Sequence, residues 1–105
     1  MIIDVTKEKI KQLIKEKQNF IVCTYYIDTY SSFYTSKLNQ ELKMELQDIY
    51  YLEVKEFMSL FNLNKKIFPL FLIFINGKIE WKICGFIKYK EIINKFQKNK
   101  PFFHR

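Results

Sequence analysis

The segment Ile67-Phe68-Pro69-Leu70-Phe71-Leu72-Ile73-Phe74-Ile75-Asn76-Gly77-Lys78 decides the fold. It opens a long apolar run at a proline and closes it on Asn-Gly, the dipeptide that supplies the positive φ angles of a tight hairpin turn. The spacing predicts a strand over residues 70–75 paired with a return strand over residues 79–84.

Working back toward the N-terminus, residues 49–54 (Ile-Tyr-Tyr-Leu-Glu-Val) read as a second central strand. A short helix through Phe57, Leu60 and Phe61 follows and stops at Asn62, a residue tolerant of the left-handed conformation. Residues 20–26 are β-branched and aromatic with no solvent-facing alternation, as expected of a strand covered on both faces. Residues 28–32 break that strand with capping-type side chains, Ser31 and Ser32 among them. Tyr34, Leu38 and Leu42 then recur at every fourth position of a helix. Ile2, Ile3 and Val5 form an apolar opening, and Thr6 can cap a first helix carrying Ile10, Leu13 and Ile14 and ending near Asn19. Beyond the hairpin, Ile92, Ile93 and Phe96 make a helical stripe that ends before Pro101. Two βα crossovers, a hairpin and a terminal helix predict an α/β sandwich with a mixed sheet of about five strands and helices on both faces.

The 105 residues, 49% of them apolar, suffice for one core, so a single domain over residues 1–105 is expected, with a short tail from about residue 99. No alanine, one arginine, 17 lysines and 15 isoleucines bear the imprint of an AT-rich genome, and the net charge of +7 is discounted accordingly. Scarce arginine argues against specific base readout, and lysines spread through every segment describe a solvated surface. No apolar run approaches the ~20 residues that span a bilayer, and the N-terminus lacks the features of a secretory signal. A cytoplasmic protein without membrane contact is expected. Cys23 and Cys84, 61 positions apart, make neither a disulfide framework nor a metal-ligand cluster, and no metal or cofactor is expected.

Phe20 to Phe96 resembles the thioredoxin-like superfamily. Residues 20–26 resemble the strand leading into that family's redox motif, and Phe61-Asn62-Leu63 its Tyr-Gly-Val or Tyr-Gly-Ile segment. Phe68-Pro69 resembles its cis-proline dipeptide, and Asn76-Gly77-Lys78 with Gly85 its hairpin and following glycine. The resemblance implies a three-layer thioredoxin-like sandwich with a cis Phe68-Pro69 peptide. It also sets the family's Cys-x-x-Cys at Thr29-Tyr30-Ser31-Ser32, and its buried acid at Cys23. In the family, the helix dipole and the short spacing make the first cysteine a reactive thiolate. A threonine hydroxyl offers no accessible anion and no sulfur to form a mixed disulfide. The strand of Pro69 is predicted to run between those of Cys23 and Cys84, leaving them about two strand spacings, ~9.6 Å, apart, beyond the roughly 7 Å a disulfide tolerates.

The expected function is therefore that of a redox-inactive interaction or accessory module. It has no catalytic residue, and binds a protein or extended peptide through Thr29, Tyr30, Ser31, Ser32, Phe68 and Pro69. One alternative is a redox or thiol-handling protein that uses Cys23 or Cys84, or that binds a thiol substrate at the proline. Another is a lysine-rich accessory protein for nucleic acid. Asp28 reads as a loop cap and His104 as a solvated tail residue, whereas Phe102 and Phe103 are expected to pack on this core or on a partner.

Overall fold

The computed structural model describes residues 1–25, 29–44, 47–63, 69–85 and 88–98. The chain runs β1 (Ile2–Asp4), α1 (Lys7–Lys15), β2 (Phe20–Thr24), α2 (Thr29–Met44), β3 (Ile49–Tyr51), α3 (Val54–Phe61), β4 (Leu70–Ile75), β5 (Lys78–Cys84) and α4 (Tyr89–Lys98). The sheet order is β1-β3-β2-β4-β5, with β1, β3 and β2 parallel and β4 antiparallel to both β2 and β5.

β4 holds the molecule together because both of its faces are buried. Phe71 and Ile73 point into a core with Ile21, Cys23, Leu38, Leu42, Ile92 and Phe96, beneath α2 and α4. Leu70, Leu72 and Phe74 point into the opposite core with Ile10, Leu13, Val22 and Phe57, beneath α1 and α3. A fully buried Leu, Ile or Phe contributes about 1.5–3 kcal/mol, so a six-residue strand apolar on both sides anchors two helical layers at once. The three-layer α/β sandwich follows from this strand. β5 is an edge strand and is blunted as edges usually are, by exposed Lys78, Glu80 and Lys82 and by a register shift opposite Ile73 and Phe74.

The hairpin forms as its sequence dictates, with φ of 55° at Asn76 and 76° at Gly77. α3 also ends where expected. Asn62 adopts φ 51°, ψ 49°, and Leu63 N–H reaches back 3.1 Å to the Met58 carbonyl, a left-handed cap that closes the last turn.

Four boundaries differ from the sequence expectation. α1 ends at Lys15, short of Asn19, because Lys17 takes a left-handed φ of 55°. The Lys17 and Gln18 amides then bond the Ile14 and Leu13 carbonyls, both at 3.0 Å. β2 stops at Thr24 because its antiparallel partner begins at Leu70, and the preceding Pro69 has no N–H to extend the ladder. β3 stops at Tyr51 because the Glu53 carboxylate accepts from the Glu56 amide at 3.3 Å, capping α3 from Val54 onward. α2 begins at Thr29, so Ser31 and Ser32 lie within its first turn.

Candidate functional site

Parallel β1, β3 and β2 bring their carboxyl ends to one edge of the sheet, where β4 begins, β5 ends and α2 starts soon after β2. Crevices outside the carboxyl ends of strands are where open α/β sheets place their ligands. Asp4 pairs in register with Tyr51, and Tyr51 with Cys23, so the carboxyl ends of three strands stand side by side.

Pro69 is buried at this edge. Its carbonyl accepts the Gly85 amide at 2.7 Å, and Gly85 holds a left-handed φ of 86°. The dipeptide partner Phe68, and with it the expected cis peptide, lies outside the described residues. So do Asp28 and the tail from residue 99, including Phe102, Phe103 and His104. Thr29, Tyr30, Ser31 and Ser32 form the first turn of α2, which carries no acidic residue. Pro69 and that turn thus lie toward the same end of the sheet.

Sequence reasoning missed the pair at the centre of this edge. The rings of Tyr25 and Tyr51 lie 4.6 Å apart at 43°, and the Tyr51 hydroxyl donates to the Tyr25 carbonyl at 3.5 Å. Burial raises the pKa of both phenols. The Thr35 hydroxyl opposes the rise at Tyr25, and the Tyr25 and Glu53 charges reinforce it at Tyr51. Both therefore remain neutral hydrogen-bonding groups through the physiological range. Among the described residues, the buried hydroxyl of Thr24 has no hydrogen-bond partner. The signal that could have found the pair was available: two tyrosines at the ends of adjacent central strands.

The thiols occupy different compartments. Cys23 is fully buried in the core under α2 and α4, and burial, with a smaller contribution from Asp4, pushes its pKa far up. Cys84 is half-buried and packs against the core under α1 and α3. β4 runs between them, so the two sulfurs project from opposite faces of the sheet and do not pair. Among the described residues no group of three or more His, Cys, Asp or Glu side chains could hold a metal ion. Among them, too, no helix is long and apolar enough to cross a membrane.

No protein-family model and no curated protein matches the chain. Solved structures do. A Schistosoma mansoni thioredoxin superposes with a TM-score of 0.70 at 10% identity, covering 92% of this chain and 96% of that one. The fold is thioredoxin-like. Mitochondrial thioredoxin 3 of Saccharomyces cerevisiae gives 0.69 at 14% identity over 92% and 94% of the two chains. Thioredoxin f2 of Chlamydomonas reinhardtii gives 0.68 at 14% identity over 96% and 98%. Coverage this complete means that the thioredoxin-like architecture accounts for nearly the whole chain, with the parallel strand ends and Pro69 at one edge of it.

Proposed function

We propose that this thioredoxin-like chain works without dithiol–disulfide exchange. In this reading it is a cytoplasmic interaction or accessory module that holds an extended segment of a partner protein along Pro69 and the first turn of α2. The observation that carries the redox half is the placement of the cysteines on opposite faces of the sheet, Cys23 buried in one core and Cys84 half-buried against the other. Exchange requires an accessible thiolate and a second thiol within reach of it, and Cys23 offers neither. Thr29-Tyr30-Ser31-Ser32 opens α2, where the family resemblance sets the Cys-x-x-Cys, and hydroxyls there cannot form a mixed disulfide.

The binding half rests on the edge itself. β4 starts at Leu70, just after Pro69, and at this edge the family resemblance places a proline loop whose backbone pairs with an extended peptide, supplemented by side-chain anchors. Tyr30 is the proposed anchor, since a tyrosine offers a large, rigid, amphipathic contact at modest entropic cost. The test compares Tyr30→Ala with wild type for thermal stability and for capture of partners from the native source in parallel. The reading expects capture to weaken by ~2 kcal/mol or more while stability changes by less than about 0.5 kcal/mol. Unchanged capture would remove Tyr30 from the interface, and a large loss of stability would make it a core residue.

A further inference from the structure

A second surface lies between α2 and α4 on the flank of the sheet. The two helices leave a groove of about 530 Å³, within the range of ligand-binding clefts. Leu38, itself buried, lies in its lining, and Tyr34 and Tyr89 border it, both half-buried against the same core. Lys37, Lys88 and Lys90 also line it and are solvent-exposed, against a single carboxylate among the described residues, Glu41. Among the described residues no carboxylate closes an ion pair with any of these three lysines. The groove thus combines an apolar lining with uncompensated positive charge.

We infer that this groove docks an acidic peptide segment of a partner protein, one apolar or aromatic residue entering between the tyrosines and flanking carboxylates meeting Lys37, Lys88 and Lys90. Charge complementarity selects the occupant. Tyrosine beside a desolvated leucine is the composition of an interface centre, and a lysine rim supplies specificity and encounter rate. A nucleic-acid strand fits less well. It would use aromatic faces as stacking platforms, and here both rings are engaged with the core. The contrast within the molecule sharpens the point. The cleft between α1 and α3 also gathers three lysines, Lys7, Lys11 and Lys55, but among the described residues Leu60 is its only apolar residue and it has no aromatic. Charge alone is therefore not what distinguishes the α2–α4 groove. The inference does not rest on the Pro69 reading, and Tyr30→Ala is expected to leave this groove's binding unchanged.

The experiment measures fluorescence anisotropy of short labelled peptides, each with one Phe, Trp or Leu flanked by glutamates. Matched peptides carry glutamine for glutamate or alanine for the apolar residue. The protein is used as wild type, as Lys88→Glu with Lys90→Glu, and as Lys7→Glu with Lys11→Glu. Lys37→Glu on α2 is the separate check should the first pair disturb folding by circular dichroism. The acidic apolar peptides should bind wild type saturably, and the groove variants should weaken them about tenfold or more. The α1 variant should change binding by less than about twofold, and both matched peptides should bind more weakly. Equal losses in the groove and α1 variants would overturn the inference, as would no saturable binding by any acidic peptide. An oligouridylate that binds the groove in place of the peptides would also overturn it and assign the surface to nucleic acid.

Discussion

Gly77 sits directly against the carbonyl of Ile14: a Cβ built on the glycine would stand 2.6 Å from that oxygen and 3.1 Å from the Cα of Lys17. The hairpin tip thereby packs onto the end of α1, and hydrogen bonds hold it there. Gly77 N–H donates to the Gln18 carbonyl at 3.1 Å, and Asn76 N–H to the Asn19 Oδ1 at 2.8 Å. The obstruction is backbone, so it cannot swing aside.

Gly77→Ala is accordingly expected to destabilise the protein by more than ~1 kcal/mol, since the substitution meets both a positive φ of 76° and a backbone contact. Denaturant unfolding of the two proteins checks this. A change within about 0.5 kcal/mol would show that the tip does not bear on α1.

The same junction makes the opposite prediction for its neighbour. Lys17 pays for a left-handed φ of 55° that a glycine adopts freely, at roughly 1–2 kcal/mol. Glycine loses about 0.5–1 kcal/mol of that gain to the greater entropy of its unfolded chain. Lys17→Gly should therefore raise stability by about 0.5–1 kcal/mol in the same unfolding experiment. A loss would mean that the lysine side chain contributes more than its backbone costs.

Burial of Cys23 predicts how stability responds to alkali. Its folded pKa is raised above the ordinary 9.0, so the native state keeps a proton that the unfolded chain gives up. Its contribution is fully present below about pH 9 and declines as pH rises through the alkaline range toward the folded pKa, with a limiting slope of about 1.4 kcal/mol per pH unit. The raised phenols of Tyr25 and Tyr51 act in the same direction above pH 10. Unfolding measured between pH 8 and 10 should show the decline in wild type and a shallower one in Cys23→Ala. Parallel curves would place the thiol in contact with solvent.

These boundaries also show what was legible in the sequence. β4 and its turn could be read because an uninterrupted Leu70–Ile75 and Asn76-Gly77 are local signals, and α3 could be read to its last residue because Asn62 is a left-handed cap by type. The end of α1 could not. Lysine is no cap, and Lys17 turns left-handed where the hairpin tip, distant in sequence, needs the chain to break. β2 likewise ends where Pro69 in another strand denies it a donor. At the candidate site, the topology alone assigns Pro69 and the start of α2 to one end of the sheet, whereas the Tyr25–Tyr51 contact and the α2–α4 groove exist only once strands and helices are packed.

A thioredoxin-like scaffold that performs no disulfide exchange, as proposed, has its plainest signature in turnover. Reduction of insulin by dithiothreitol should proceed at the same rate with wild type as with a variant carrying Cys23→Ala and Cys84→Ala, both at the uncatalysed background. Cys23 and Cys84 lie on opposite faces of the sheet and cannot act as a pair, so removing both should change nothing. Wild-type turnover clearly above that of the cysteine-free variant would contradict the account and return catalysis to Cys23 or Cys84.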